Sequence, residues 1–181
     1  MPASLFRVWR SMESLKLYRI SDKYIRFLKT RDRRVQDNKN RHRPYVGVVL
    51  LVGNFRYFVP MESPKPNHAN IKSGWHIMRI DEGKLGILGF NNMIPVHESA
   101  LISFDVDKEP NEQYADLLRR QVSFINRHKA DVLNHAAQTY IKVTSGKNKF
   151  LSSICCDFKK LERACKKYDP NYVVEKRPIK S

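Results

Sequence analysis

The longest continuous apolar run, YVGVVLLV at residues 45–52, constrains the fold more than any other segment. A run of this length, rich in β-branched residues, is typical of a buried strand and is far too short to span a bilayer. Gly53 and Asn54 fit a two-residue hairpin turn, and FRYFVP at 55–60 predicts the partner strand. The sequence therefore predicts a buried antiparallel hairpin.

Shorter apolar segments predict more strands around this hairpin. LKLYRI at 15–20 alternates apolar and polar residues, as a strand does, and Ser21 fits the N-cap of a helix over 22–29. Residues 30–44 carry many charges without an apolar period, which predicts a flexible basic loop. A second hairpin at 75–90 and short strands at 93–96 and 100–106 follow.

Apolar residues recur at helical spacing after Pro110. The segments run from Tyr114 to Ile125, from Val132 to Ile141 after a break near His128, and from Phe158 to Tyr168. Strands first and helices later predict an α+β fold. We expect an N-terminal extension at 1–13, a single domain at 14–175 and a C-terminal tail at 176–181.

The charge of the chain is high and unevenly distributed. The formal net charge is +16 over 181 residues. Residues 16–43 hold eleven Lys or Arg against three Asp or Glu, and 142–180 hold eleven against four, whereas 81–116 hold two against eight. A polarised basic surface favours a polyanionic partner, and nucleic acid fits better than membrane because no basic amphipathic helix with a broad apolar face is evident.

The cysteines and the N-terminal residues bear on the compartment. Cys155, Cys156 and Cys165 cannot all pair and lack the spacing of zinc ligands, so we expect a reducing, intracellular environment with Cys155 and Cys156 as buried, inert thiols. The arginines among the apolar residues at 1–13 argue against a secretory signal. We expect no metal and no cofactor.

The loop after the first hairpin, ESPKPNH at 62–68, gathers groups suited to phosphate chemistry. Lysine can stabilise the charge that develops on a phosphorane, a serine hydroxyl can hydrogen-bond phosphate oxygens, and histidine or glutamate can move protons. Pro64 and Pro66 restrict the backbone around Lys65. On spacing alone, a solvated polar loop explains the same residues.

A wider set of motifs resembles one known family. LKLYRISDKYI, PYVGVVLLV, YFVPMESPKPNH and NNMIPV occur in the order and spacing of the ToxN/AbiQ family, the protein components of type III toxin–antitoxin systems. The resemblance covers about Leu15 to Lys167, and the Ser-Pro-Lys loop is its most specific part.

The resemblance implies a fold, an activity and a partner. The fold would be a MazF/Kid-like core: a compact, strongly curved antiparallel sheet, or partial barrel, surrounded by helices. The activity would be metal-independent endoribonuclease cleavage by 2′-hydroxyl attack, leaving 2′,3′-cyclic phosphate and 5′-hydroxyl ends. A small pseudoknot-like RNA cut from a repeat transcript would inhibit the toxin within a closed RNA–protein assembly, serving phage defence by abortive infection or plasmid maintenance.

The same resemblance implies the residues of the active groove, namely Tyr24, Arg43, Ser63 and Lys65. Lys65 would stabilise the phosphate and transfer a proton, Ser63 would hydrogen-bond the scissile phosphate, and Tyr24 would position the phosphate or a base. Arg43 stands where relatives commonly have Lys, and an always-protonated guanidinium favours charge stabilisation over acid catalysis.

Two further residues of the loop are candidates. Glu62 stands where relatives often have Thr, and its carboxylate is either paired with a cation, turned outward or a catalytic base. His68 matches a frequent family histidine and is expected at the groove edge.

Other polar and aromatic residues are candidates for RNA contact. Trp75 is predicted in the core, with base stacking as the alternative. Asn91 and Asn92 either form a turn or read a base edge. The full set expected to contact RNA is Lys23, Arg31, Arg33, Arg34, Arg41, Lys72, Asn91, Asn92, Lys147, Lys149, Lys159 and Lys160.

Two other functions fit the charge equally well. One is a non-catalytic basic RNA-binding module, which would not require the Tyr24, Ser63 and Lys65 set. The other is a DNA-binding regulator of MazF-like shape.

Overall fold

The computed structural model describes residues 13–39 and 42–171. Residues 1–12 of the predicted extension, Arg41 and the predicted tail at 176–181 lie outside the described residues.

The described residues contain seven strands and five α-helices. The strands are β1 (Lys16–Ile20), β2 (Tyr45–Val52), β3 (Phe55–Glu62), β4 (Ile77–Arg79), β5 (Ile87–Gly89), β6 (Ile94–Pro95) and β7 (Leu101–Ser103). The helices are α1 (Asp22–Arg31), α2 (Glu112–Arg127), α3 (Lys129–Thr144), α4 (Lys149–Ile154) and α5 (Phe158–Lys166). The predicted α+β class is confirmed.

The strands of the described residues form one antiparallel sheet in the order β4-β5-β3-β2-β1-β7. Strand β3 changes partner along its outer edge: Tyr57 and Phe58 face β6, whereas Met61 and Glu62 face Leu88 and Ile87 of β5. In this part of the chain β4 and β7 remain the two edges, so the sheet does not close into a barrel. The C-terminal end of β3 is therefore held between strands just before the Ser-Pro-Lys loop leaves the sheet.

The predicted central hairpin is confirmed. Two predicted helix boundaries, the start of α1 and the break between α2 and α3, are confirmed as well. Strands β2 and β3 pair antiparallel around Gly53 and Asn54, with a shift of register between Gly47 and Leu50. The Ser21 hydroxyl accepts a hydrogen bond from the Tyr24 amide at the start of α1, which satisfies one of the free amides of the first turn. Helices α2 and α3 meet at His128, where the sequence predicts a break.

The helices pack on the sheet through a buried polar contact as well as through apolar side chains. Glu162 of α5 is buried, and its Oε1 atom accepts hydrogen bonds from the hydroxyls of Tyr57 (2.9 Å) and Tyr140 (2.7 Å). Lys159 neutralises its other oxygen at 3.0 Å. Because a buried carboxylate is tolerated only when it is paired, this network links α3 and α5 to β3.

The loop predicted to be flexible at 30–44 is instead tied to the core over its described residues. Val35 is buried, and the Asn38 amide donates to the Ile20 carbonyl at 2.7 Å. The Asp32 carboxylate accepts a hydrogen bond from the Asp157 amide. The sequence did not predict these contacts, because single buried residues within a highly charged segment leave no periodic pattern.

The structure also bears on the predictions for the later strands, the cysteines and the membrane. The strands after residue 75 are shorter than predicted, and helix α4 was not predicted. Cys155 and Cys156 are buried thiols as expected, and burial raises the pKa of Cys155 to about 12. In the described part of the chain, no helix is long and apolar enough to cross a membrane.

Candidate functional site

The candidate site begins where β3 ends at Glu62. The next residues leave the sheet, and Ser63 and Lys65 are exposed. The Lys65 Nζ atom lies 2.7 Å from Glu62 Oε2, and the Lys65 side chain is 52% exposed against 17% for Glu62. The structure therefore presents a lysine ammonium and a serine hydroxyl to solvent at the rim of the sheet, with a carboxylate behind the lysine.

A second layer of polar groups lies behind Glu62. Arg43 is buried, and its Nη1 atom lies 3.9 Å from Glu62 Oε1. Its Nε atom donates to the Asp37 carbonyl at 2.8 Å, which fixes the guanidinium. The Gln36 amide donates to Glu62 Oε1 at 3.3 Å. We call Gln36, Arg43, Glu62, Ser63 and Lys65 the rim cluster.

The protonation of Glu62 follows from these contacts. Burial disfavours its charged form, but the hydrogen bond and charge of Lys65, with Arg43 and Gln36, outweigh burial and hold the pKa of Glu62 below its ordinary value. Glu62 is therefore ionised at neutral pH. Of the alternatives for Glu62, the structure shows a paired carboxylate.

His68 lies buried inside the loop, whereas the family resemblance implies a position at the groove edge. The ring is 2% exposed, and its Nδ1 atom accepts a hydrogen bond from the Lys65 amide at 3.3 Å. The His68 amide in turn donates to the Lys65 carbonyl at 2.9 Å. This reciprocal pair closes the turn Pro66–Asn70 and fixes the backbone of Lys65.

The His68 ring makes the loop sensitive to acid. Burial lowers the pKa of His68, with Glu62 opposing the shift and Lys65 adding to it. In the unfolded chain His68 has its ordinary pKa of about 6.5, so it is protonated at a higher pH than in the folded chain. The free energy of unfolding therefore decreases as the pH drops below about 6.5. We expect the melting temperature of wild type to fall more between pH 7 and pH 5 than that of His68→Asn, which keeps an acceptor without titrating. Parallel melting curves for the two proteins would contradict this role.

Two glycines of the turn at 80–86 pack closely against the backbone of the Ser-Pro-Lys loop. A Cβ atom on Gly86 would lie 1.9 Å from the Glu62 carbonyl oxygen, and one on Gly83 would lie 2.8 Å from the His68 carbonyl. Both glycines have positive φ angles, +107° and +92°. Backbone thus packs directly on backbone at both ends of the loop, which only glycine allows.

Tyr24 does not join the rim cluster, although the family motif implies that it positions a phosphate or a base. Its side chain is fully buried, and its hydroxyl donates to the Pro95 carbonyl at 2.8 Å. The ring packs edge-on against Tyr168 with centroids 4.8 Å apart. Tyr24 therefore belongs to the core that joins α1 to the C-terminal end of the described chain.

The predicted RNA-contacting residues divide into free and committed side chains. Those exposed to solvent are Arg31, Arg33, Lys72, Lys147, Lys149 and Lys160, whereas Lys159 is exposed but paired with Glu162 at 3.0 Å. Arg34 pairs with Asp32 through two nitrogen–oxygen contacts of 2.9 and 3.0 Å, and Lys23 donates to the Pro170 carbonyl. These last two cations also stabilise the fold.

The two asparagines act mainly as turn residues. Asn92 is buried with its side-chain oxygen near the Cys156 thiol, which favours the turn alternative over direct reading of a base. Asn91 is half-buried, and its backbone bonds to His76 and Cys156. The turn alternative accounts for both positions.

Trp75 is the aromatic residue that the sequence placed incorrectly. Its side chain is 38% exposed rather than part of the core, and its ring lies edge-on to His135. Residues 72–76 are short of apolar neighbours in sequence, a signal that favours a surface position.

Among the described residues, no group of three or more His, Cys, Asp or Glu side chains is placed to hold a metal ion.

Comparisons with known proteins agree with the motif resemblance. The family model described as toxin ToxN of type III toxin–antitoxin systems matches residues 16–166. An endoribonuclease ToxN of Bacillus thuringiensis subsp. kurstaki is 36% identical over 162 residues, which cover 84% of each chain. Endoribonuclease AbiQ of Lactococcus lactis subsp. lactis is 30% identical over 161 residues, covering 82% of this chain and 86% of AbiQ.

Solved structures show the same likeness in three dimensions. A toxin structure from work on selective toxin inhibition by a non-coding RNA pseudoknot superposes with a TM-score of 0.76 at 33% identity, covering 85% of this chain and 97% of that chain. The structure of AbiQ, a lactococcal anti-phage endoribonuclease of the type III system, gives 0.75 at 27% identity, covering 85% and 97%. Since the family model spans most of the sequence and curated relatives align along it, this chain belongs to the ToxN family of type III toxin–antitoxin toxins.

Proposed function

We infer that this chain is an endoribonuclease toxin restrained by direct binding of its own antitoxin RNA. The relatives are curated endoribonucleases, and the solved neighbours come from work on an RNA pseudoknot inhibitor and on a lactococcal anti-phage system. The role of this chain would accordingly be phage defence by abortive infection, or plasmid maintenance. Exposed cations on the described surface, such as Lys72 and Lys160, suit an RNA partner.

The observation that carries the proposal is the half-exposed Lys65 ammonium held 2.7 Å from Glu62 at the end of β3. Cleavage proceeds by attack of the 2′-oxygen on phosphorus and departure of the 5′-oxygen. The proton of the 2′-hydroxyl passes to solvent water, and another proton reaches the 5′-oxygen. Lys65 stabilises the negative charge of the phosphorane and supplies the proton of the leaving oxygen. Ser63 hydrogen-bonds a phosphate oxygen from the same exposed side.

The polar groups behind Lys65 determine the position of its ammonium group and the electrostatic field around it. Glu62 holds the ammonium on the rim, and the neighbouring guanidinium of Arg43 offsets the charge of Glu62. Because Arg43 is 7% exposed at its side chain, it acts through the electrostatic field rather than by touching the phosphate. His68 is a positioning residue that fixes the Lys65 backbone.

Several broader features belong to the same proposal. We propose that the antiparallel sheet with helices packed on it is the core of a MazF/Kid-like fold, as the family resemblance implies. Residues 14–175 act as one toxin domain, and the extension at 1–13 is dispensable. The toxin acts in the cytoplasm, without a cofactor, and forms a closed assembly with a pseudoknot-like repeat RNA.

Metal independence and product ends test this mechanism. Wild-type protein should cleave RNA at the same rate in excess EDTA as without it, within about twofold, because Lys65 supplies the charge that a metal would otherwise provide. The upstream fragment should carry a 2′,3′-cyclic phosphate, and the downstream fragment should accept a 5′-phosphate from a kinase without prior phosphatase treatment. Electrophoresis of end-labelled RNA measures both.

The same assay separates the proposal from its alternatives. A strict requirement for a divalent ion, or 5′-phosphate ends, would contradict the mechanism. Tight binding of single-stranded RNA without any product would instead identify a non-catalytic RNA-binding module. Preference for duplex DNA of equal charge would favour the DNA-binding regulator.

A further inference from the structure

Two exposed aromatic rings lie on one surface that the rim cluster does not use. Phe150 of α4 is 61% exposed, and Trp75 before β4 is 38% exposed. Trp75 packs edge-on against His135 with centroids 5.4 Å apart, and Phe150 packs edge-on against His76 at 5.8 Å. Trp75 and His76 are consecutive in sequence, so the two pairs are neighbours. We call Trp75, His76, His135 and Phe150 the aromatic patch.

The aromatic patch has a rigid backing. The Thr139 hydroxyl of α3 donates to the Trp75 carbonyl at 2.6 Å. His135 stacks on the buried Phe90 ring, with centroids 5.3 Å apart and 25° between the planes. The Asn91 amide donates to the His76 carbonyl at 3.1 Å. Rings held in this way lose little conformational freedom when a flat ligand stacks on them.

The charge around the patch indicates what the ligand carries. Residues 63–80 and 132–156, the segments that supply the patch, contain no Asp or Glu. Lys147 and Lys149 are exposed beside Phe150, and Lys72 is exposed before Trp75. An apolar surface of a protein partner would gain nothing from these cations, whereas a ligand of flat rings joined by phosphates matches both the rings and the charge.

The sheet places this surface within reach of the rim cluster. Arg79 of β4 faces Ile87 of β5, and Ile87 faces Glu62 of β3. Two strand spacings separate Glu62 from Arg79, and Trp75 lies four residues before Arg79, in a turn that precedes β4. The backbones of Glu62 and Trp75 are therefore at most roughly 17 Å apart. A short single strand of RNA can therefore contact both.

We propose that Trp75 and Phe150 stack unpaired bases of a single-stranded RNA whose cleaved phosphate lies at Lys65. The inference rests on the proposed function in taking RNA as the ligand. It adds a second contact region, which holds the flanking nucleotides of the substrate rather than the scissile phosphate. Stacking tolerates any base, so the patch contributes affinity and register without reading sequence.

Binding of an uncleavable RNA tests the proposal without any need for catalysis. The probe is a fluorescent 2′-O-methyl single strand of about 12 nucleotides, within the site sizes of single-strand binders. Trp75→Leu and Phe150→Leu keep apolar bulk but remove the ring, and each should weaken binding about 5- to 150-fold. Trp75→Phe and Phe150→Tyr keep a ring and should stay within about threefold of wild type.

Controls separate stacking from charge and from folding. Ile102→Ala removes an equally exposed apolar side chain, 42% exposed on β7, and should leave the affinity unchanged. The slope of affinity against salt should stay the same in Trp75→Leu, since stacking releases no counterions, whereas Lys149→Gln should make the slope shallower. In a Trp9→Phe background Trp75 is the remaining tryptophan, and its fluorescence should be quenched by the probe.

The outcomes distinguish this inference from the proposed function. Unchanged affinity of folded Trp75→Leu and Phe150→Leu would overturn the stacking site, as would self-association of RNA-free wild type that these variants abolish. Loss of affinity in both variants supports the site even if wild type fails to cleave RNA, because the probe has no 2′-hydroxyl to react. Absence of cleavage by wild type would contradict the proposed function alone.

Discussion

Lys65→Ala protein should bind RNA yet cleave it about 10² to 10³ times more slowly than wild type. The expected size is that of removing one preorganised group that stabilises a developing oxyanion. The fold should survive, because the Lys65 side chain is 52% exposed and its ion pair with Glu62 lies at the surface; such pairs contribute about 1 kcal/mol or less. Single-turnover cleavage of end-labelled RNA gives the rate, thermal melting checks the fold, and cells should tolerate expression of the variant.

The interpretation of Lys65→Ala needs controls, since the change also leaves the Glu62 carboxylate without its lysine partner beside the phosphate. The double variant Glu62→Gln with Lys65→Ala removes that repulsion and should remain as slow as Lys65→Ala. Lys108→Ala removes an exposed lysine outside the RNA-contacting set, with its side chain 83% exposed, and should cleave within about threefold of wild type. Undiminished cleavage by Lys65→Ala would remove Lys65 from the mechanism.

The single variant Glu62→Gln serves the same set of measurements by separating two roles of the carboxylate. If Glu62 only positions Lys65, Glu62→Gln should lower the cleavage rate by less than about tenfold. If Glu62 is the general base for the 2′-hydroxyl, the rate should fall by about 10² to 10⁴. We expect the smaller loss, because Glu62 is engaged by Lys65 at 2.7 Å and by Gln36 at 3.3 Å.

The parts of the fold that could be predicted are those with a strong local pattern. The continuous apolar run of β2 and the Gly53-Asn54 turn determine the central hairpin, and helical spacing determines α2, α3 and α5. Strands β4 to β7 have only two or three residues each, which is too short for alternation to show. Their pairing depends on contacts with β3 and β1 that no local pattern encodes.

The candidate site divides in the same way. Ser63 and Lys65 are separated only by Pro64 in sequence, so local chemistry and the family motif identify both. Gln36 escaped prediction because it lies in a charged loop and reaches Glu62 only through the fold. Tyr24 was placed in the groove by the motif, although Tyr24, Ile25 and Leu28 share the spacing of a buried helix face. Periodicity was the better guide at that position.

Gly86→Ala should damage both stability and cleavage, although residue 86 lies outside the Ser-Pro-Lys loop. The new Cβ atom would lie 1.9 Å from the Glu62 carbonyl oxygen, in a backbone with φ +107°. Neither atom belongs to a flexible side chain, so β5 or the start of the loop must shift. Strained backbone and overpacking together should lower the free energy of unfolding by at least about 2 kcal/mol. Because Glu62 and Ser63 move with that backbone, cleavage by the remaining folded protein should fall by about tenfold or more, as a small displacement of positioned groups is costly.

Gly53→Ala is the matched control, since it separates strain of the backbone from the contact beneath the loop. Gly53 also has a positive φ angle, +55°, but nothing lies within 4 Å of a Cβ atom placed there. The control should therefore cost only about 1 kcal/mol, the ordinary penalty for a non-glycine residue in this conformation, and should cleave RNA as wild type does. Denaturant unfolding gives both free energies, and single-turnover rates at a temperature where each variant is folded give the activities. If Gly86→Ala and Gly53→Ala were equally stable and equally active, the turn at 80–86 would not support the loop, and the position of Lys65 would depend on His68 and the two prolines alone.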